Sequence, residues 1–477
     1  MHTYALMEIK RRMRTRFTWM VAVLALVAVG FLMACSTKYS SSSNGLVIVP
    51  TQGSAVMETF SLNLANGQMS QINNVSGPPT PGLSGAVILD PAGAFAYVIM
   101  QQNAALNPSV TGITSFAVGS NGKLAAGTTQ TLKPTSPTVN VPCFTSGGQE
   151  LITPVSVQPT PVVPGSNLSG SMAIDSAGKY LFVADIATTG QTLPYVDPCT
   201  DTTVTSTVPV PGTVSVFAVS SGTLTEVPGS PFPLPAESGN GTPSASALAV
   251  TPTVYPVQYS YCSGHTPPAT ENLYVTDSVN YVLLNYSVDL STGALGPPLN
   301  STTVQSVPTG SVPSGVAVDP CNRFVYVANA GPGSSPNNVS AYTICSTINV
   351  ISVPPCTAPD FSLHPITGTT FITGDAPGPI AVDAYGNFLY VVNTGSGNVS
   401  GYRINAATGS LTAFTGAPAA AGVGANSIAI RSDDSWVFVA NFNSGTLSQY
   451  SISFTSGVLS PVGPVSTLDY PSGVAVK

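Results

Sequence analysis

Hydrolytic chemistry calls for a general base or an activated water, and binding an anionic group also calls for cations. Downstream of Cys35 the chain offers few such groups: His265 and His364 are the only histidines, and Lys179, Arg323 and Arg403 are scattered cations. His265 falls in a long insertion and His364 in an irregular segment after Cys356, where loop histidines are ordinarily solvated. Lys179 and Arg323 sit in turns and Arg403 on a strand, so no two cations converge by register. Better ordered is a set of short polar residues, Asp185, Asp277, Asn329, Asn393 and Asn441, each closing a strand of similar sequence. Asn and Asp at strand ends cap turns through their own backbone. Recurring at one level around a ring, they would also form a polar rim able to hold a ligand through side-chain oxygens. No dense Asp-x-Asp calcium loop is present, and neither a metal nor a cofactor is expected.

The elements that place these residues repeat. Gly85–Met100 (GAVILDPAGAFAYVIM), Gly170–Asp185 (GSMAIDSAGKYLFVAD), Ser314–Asn329 (SGVAVDPCNRFVYVAN), Gly378–Asn393 (GPIAVDAYGNFLYVVN) and Asn426–Asn441 (NSIAIRSDDSWVFVAN) align without a gap. Each reads as an apolar strand, a polar turn and a second strand with an aromatic residue. A sixth copy is split between Ala247–Pro252 and Asn272–Asp277. A third alternating strand follows each pair, as in Val399–Ile404 before Gly409, and then a fourth. A sheet of four antiparallel strands with apolar inner members needs cover on both faces, and a ring of such sheets supplies it. The C-terminal SGVAVK (Ser472–Lys477) repeats the start of the Ser314 segment and stops, while Leu46–Val49 and Ala55–Leu62 lack a first strand before them. Pairing the two ends completes a blade and removes a sheet edge. The expectation is an all-β, seven-bladed β-propeller over residues 45–477, closed by its C-terminal strand.

Residues 1–34 have another character. Lys10, Arg11, Arg12, Arg14 and Arg16 precede an uncharged apolar run from Trp19 to Ala34, the layout of a signal peptide and too short to span a bilayer comfortably. Leu32-Met33-Ala34-Cys35 resembles the lipobox of bacterial lipoproteins, which implies lipid attachment at Cys35, a Ser-rich tether over 35–44, and membrane contact through the anchor alone. Ser36 resembles lipoproteins sent to the outer membrane. Loss of the segment before Cys35 takes five of the 13 Lys and Arg and one of the 20 Asp and Glu, leaving 8 basic against 19 acidic side chains. Such a domain is a poor partner for nucleic acid.

Six cysteines remain in an exported chain, so disulfides are expected. Blade register places Cys143 and Cys199 on one face and Cys262 and Cys321 on the other. Cys345 and Cys356 are left to pair, although a fourth strand between them would hold them apart.

The AVDP and YVAN strings, clearest at Ala317–Pro320 and Tyr326–Asn329, resemble the YVTN-repeat and lactonase-like seven-bladed propellers, which include 6-phosphogluconolactonase-type and muconate-cycloisomerase-type enzymes. The similarity spans Leu46–Lys477. It implies the fold; a lactonase activity would follow by fold analogy alone. Insertions at Gln101–Pro108, Thr128–Gly165 and Ile186–Val210 are rich in Pro, Thr and Ser and lie on the face of the polar rim. They suit a monomeric binding module for an envelope protein or polysaccharide, the alternative being a lactonase-like hydrolase.

Overall fold

The computed structural model describes residues 44–477 except 53–55, 77–81, 103–111, 133–137, 145–149, 157–167, 186–187, 198–201, 237–240, 253–269, 299–300, 332–336, 347–359, 367–370, 417 and 468. Seven antiparallel sheets form the blades, and in six of them the strand order follows the chain outward from a central first strand. Blade 1 joins the two ends of the chain: Ala475–Val476 pairs with Asn44–Thr51, Val47 opposite Val476 and Ile48 opposite Ala475. Leu46 N–H donates to Lys477 O at 3.1 Å and Lys477 N–H to Leu46 O at 2.9 Å. The chain therefore closes its ring as its truncated repeats require.

In blades 3 to 6 the outer strand is broken into two pieces that both pair with the third strand, as Leu363–Pro365 and Phe371–Ile372 do with Asn338–Ile344. Second strands are the best covered. Phe324–Asn329, Phe388–Asn393 and Trp436–Asn441 are buried at every residue, because sheets from the adjoining blades pack on both of their faces. The aromatic residue that recurs there stitches blades together: Tyr326 Oη donates to Gly409 O at 3.0 Å and Tyr390 Oη to Gly457 O at 2.7 Å, each in the next blade. Tyrosines of the third strands reach the other way, Tyr342 Oη donating to Pro308 O at 2.6 Å. Gly409, at φ +70°, lies so close to Phe324 that a Cβ would stand 2.5 Å from its ring. Buried hydroxyls that find carbonyls in a neighbouring blade fix its orientation as apolar contact alone does not.

Three sequence expectations change. Thr128–Gly165 and Ile186–Val210 are not irregular throughout: Thr138–Phe144 pairs with Glu150–Ser156, and Thr188–Asp197 with Thr202–Val210, as two added hairpins. Prolines within these strands masked them, since proline is tolerated in a two-stranded ribbon but reads against a strand. His364 lies in an outer strand opposite Thr343, with Nε2 3.1 Å from Ser362 Oγ, rather than in an irregular segment.

The disulfide framework is corrected as well: among the described residues no two cysteines stand at bonding distance of each other. Cys321, in the turn before the second strand of blade 5, and Cys345, just after its third strand, are buried and each disulfide-bonded, though not to each other. The side chains of Cys143, Cys199, Cys262 and Cys356 lie outside the described residues, so the expected three-bridge set is not found. The first described piece of the outer strand of blade 5 is Leu363–Pro365, and the segment between positions 345 and 356 lies largely outside the described residues. His265 also lies outside the described residues, as do residues 1–43 with Cys35. No helix among the described residues is long and apolar enough to cross a membrane.

Candidate functional site at the channel mouth

First strands line the channel, and their starts share one irregularity. The pairing register slips between Ala245 and Ala247, Pro313 and Gly315, and Ala425 and Ser427, with comparable breaks in blades 2, 3 and 6. A bulge leaves one residue unpaired and re-aims its side chain. Here the released residues include Ser246, Ser314 and Asn426, and all three line a cavity of about 460 Å³ at the mouth. Gln52, Ser171, Ser427 and Ser472 complete its polar rim, while Met172, Leu248, Val316, Ile380 and Ile428, one step further along the strands, form an apolar floor.

Part of the rim is tied into the ring. Ser246 Oγ donates to Pro313 O at 2.7 Å and Ser314 Oγ to Pro377 O at 2.6 Å, each crossing to the next blade. Ser171 Oγ accepts Leu248 N–H at 2.9 Å, and Ser427 Oγ accepts Val474 N–H at 3.2 Å. Asn426 is held loosely: Nδ2 reaches Ser472 O at 3.5 Å, and Oδ1 is occluded without a hydrogen-bond partner. No ionisable side chain lines the cavity among the described residues. Hydroxyls and amides above an apolar floor are complementary to an uncharged ligand that carries both hydroxyls and a hydrocarbon face.

The rim residues expected from sequence stand elsewhere. Asp277, Asn329, Asn393 and Asn441 are fully buried, and none of them lines the cavity. Each faces its own blade. Asn329 Nδ2 donates to Asn338 Oδ1 at 2.7 Å and Ser340 Oγ at 2.9 Å, and Asn393 and Asn441 repeat the clamp on Asn398 with Ser400 and on Thr446 with Ser448. Gly422 lies directly above Asn441, where a Cβ would stand 2.7 Å from its carboxamide carbon. Asp277 accepts the N–H groups of Ser244, Val279 and Asn280. Asp185 accepts Thr213 Oγ1 and Ser215 Oγ, both at 3.0 Å, and burial pushes its carboxyl up to about 6 against the lowering effect of those bonds. Asp185, Asn329, Asn393 and Asn441 are equivalent clamps between second and third strands, whereas Asp277 holds the turn that follows its strand and the approach to the first strand.

The cations serve the opposite face. Arg323 is buried against Asp319, with Nε to Oδ2 at 2.9 Å and Nη2 to Oδ1 at 2.6 Å, and also donates from Nη2 to Gly386 O of blade 6 at 3.1 Å. Lys179 donates to Leu290 O of blade 4, and Lys477 to Gly93 O of blade 2 at 3.1 Å. Arg403 lies over the Phe388 ring of its own blade, 5.0 Å from its centroid, and donates from Nη2 to Thr455 O of blade 7 at 2.5 Å. These are inter-blade latches. No group of three or more His, Cys, Asp or Glu able to hold a metal occurs among the described residues. The cavity serines and Asn426 escape sequence reasoning because they are common residue types; their one signal is a shared position at the head of the innermost strands.

Comparisons agree with this architecture. The family model described as lactonase, 7-bladed beta-propeller, matches residues 265–420 and 360–477. No curated protein matches the chain in sequence. Among solved structures, a candidate 6-phosphogluconolactonase from Bacteroides fragilis is similar at TM-score 0.59 and 15% identity, covering 92% of this chain and 99% of that one. Another from Bacteroides uniformis gives TM-score 0.59 and 15% identity over 91% and 100%. The periplasmic gluconolactonase of Pseudomonas aeruginosa gives 0.56 and 17% over 91% and 99%. At such identities the likeness concerns the fold, and the chain is a seven-bladed β-propeller resembling the lactonase family.

Proposed function

We propose that this protein is a lactonase-like hydrolase that receives an uncharged sugar lactone at the channel mouth. The observation that carries the reading is the cavity: about 460 Å³, ringed by serine hydroxyls and carboxamides, floored by aliphatic side chains and lined by no described cation or carboxylate. The family resemblance supplies the reaction class. The lining favours a neutral substrate over a phosphorylated one, because a buried phosphate without a cation would lose its hydration uncompensated. In the reaction water adds to the ring carbonyl, the ring C–O bond breaks and the released alkoxide takes a proton, giving the open hydroxy acid. The rim's part is to orient the ring and exclude bulk water. Turnover of a neutral aldonolactone in preference to its phosphorylated counterpart supports the reading; preference for the phosphorylated one contradicts it. A binding module for an envelope protein or polysaccharide is favoured by no particular feature over catalysis.

We also propose that the protein works outside the cytoplasm, tethered through lipid on Cys35. The basic start, the apolar run from Trp19 to Ala34 and the cysteine at its end support this placement. Cys35→Ser should move the protein from the membrane fraction to the soluble fraction of cells; unchanged fractionation would refute the anchor.

A further inference from the structure

Ahead of the bulge, the inner strands share a second device. Val312, Ala376, Gly424 and Tyr470, each two residues before the cavity-level position of its blade, adopt left-handed φ values of +53°, +48°, +72° and +54°. Their carbonyls accept N–H groups of the residues that follow the neighbouring strand: Ala330, Thr394, Phe442 and Gln52, at 2.9 to 3.0 Å. Glycine takes this conformation freely. For Tyr470 it presses Cβ toward the following carbonyl oxygen, and Pro471 behind it further favours extended backbone. Strain of this kind gathers at ligand sites.

The strained position presents an aromatic ring that the core does not use. Tyr470 is 49% exposed, and its ring lies 5.1 Å from that of Phe442, tilted by 36°. The pair stands where blades 7 and 1 meet, Phe442 following the second strand of blade 7 and Tyr470 preceding the residue that bridges to Thr51. Gln52, whose N–H is held by Tyr470 O, lines the cavity, and so does Ser472 two residues on. At the same edge, the occluded Oδ1 of Asn426 has no donor. An acceptor left without a partner at a cavity edge is complementary to a ligand hydroxyl.

We propose that Tyr470, backed by Phe442, is a stacking platform for the apolar face of a pyranose-like ring, with Asn426 Oδ1 and the Gln52 carboxamide receiving its hydroxyls. The inference deepens the proposed sugar-lactone reading and rests on it for the ligand class. A six-membered sugar ring presents C–H groups on one face and hydroxyls at its edge, matching an exposed aromatic face beside amides. A linear polyol has the hydroxyls but no flat face to stack.

Titration of the purified protein with methyl β-D-glucopyranoside and with glucitol, followed by calorimetry or saturation-transfer NMR, tests the platform. The wild type should bind the ring sugar in preference to glucitol. Tyr470→Gly, which suits the left-handed backbone and so should still fold, should weaken ring binding roughly ten-fold, the loss of about 1.4 kcal/mol expected for one aromatic contact. Tyr470→Phe should stay close to wild type. Unchanged binding by Tyr470→Gly, equal affinity for glucitol, or no ring binding by the wild type would overturn the platform. Lactone turnover is read separately: turnover without ring binding leaves the proposed function standing and removes the platform, and ring binding lost in Tyr470→Gly without turnover does the reverse.

Discussion

Asp434 of blade 7 reaches across to blade 6, where Oδ1 accepts Ala384 N–H at 2.8 Å and Oδ2 accepts Tyr385 N–H at 3.2 Å, and its carboxyl hydrogen-bonds that of Asp383. Both residues are buried, and Asp383 Oδ1 also accepts Asn387 N–H and Phe388 N–H at 2.6 and 2.7 Å. Two buried carboxyls that hydrogen-bond to one another cannot both ionise without strong repulsion, so they share a proton. Burial first, and the charge of Asp434 second, raise Asp383; burial raises Asp434. Tyr390, raised by burial first and then by the charge of both carboxyls, is a titratable group facing the pair.

A pH dependence with a definite sign results. The folded pair keeps its proton where the unfolded chain, with carboxyls near pH 4, has released it. Stability is therefore greatest at low pH and declines as pH rises through the raised values. Asp383→Asn imitates the protonated form, because the amide still donates to Asp434. Its Tm should fall less than that of the wild type between pH 5 and pH 8; equal slopes would rule out a shared proton.

Asp185 offers an independent case. Its position carries Asn in blades 5, 6 and 7, where the amide makes the same clamp on the third strand. With its carboxyl raised to about 6 by burial, the charged form is disfavoured at neutral pH. Asp185→Asn should stabilise the fold by the order of 1–3 kcal/mol at pH 8 and by little at pH 4, as read from urea midpoints at the two pH values. Destabilisation at pH 8 would show that the hydroxyls of Thr213 and Ser215 cannot reorient to accept from an amide.

Arg323 and Asp319 latch blade 5 to blade 6 with an ion pair that is almost wholly buried. Arg323→Ala leaves a carboxylate buried without its cation and should cost about 3–5 kcal/mol. Because the penalty comes from the orphaned charge, the double variant Asp319→Asn with Arg323→Met should be more stable than Arg323→Ala alone. Chemical unfolding of the three proteins decides it, and a double variant less stable than the single one would contradict the account.

The blades were legible because their determinants are periodic. Five gap-free segments carry the same apolar pattern, and the surplus strand at Ser472–Lys477 meets its deficit at Leu46. The site was much less legible. A bulge shared by the inner strands leaves no gap in such an alignment, so nothing in the spacing shows that Ser314 or Asn426 turns into the channel. Asn329, Asn393 and Asn441 drew attention because they recur, yet their recurrence reflects a clamp inside each blade. The left-handed backbone at Tyr470 was hidden by Pro471, which argues for extended chain.

The central claim, a neutral lactone at an uncharged channel mouth, is tested most directly by kcat/KM for gluconolactone and for 6-phosphogluconolactone, measured on the wild type and on Asn426→Leu. The account predicts that the wild type opens the neutral lactone in preference to the phosphorylated one, and that Asn426→Leu, close in size but without the acceptor, loses roughly ten-fold on the neutral substrate. Preference for the phosphorylated lactone, or no turnover of either, would contradict it.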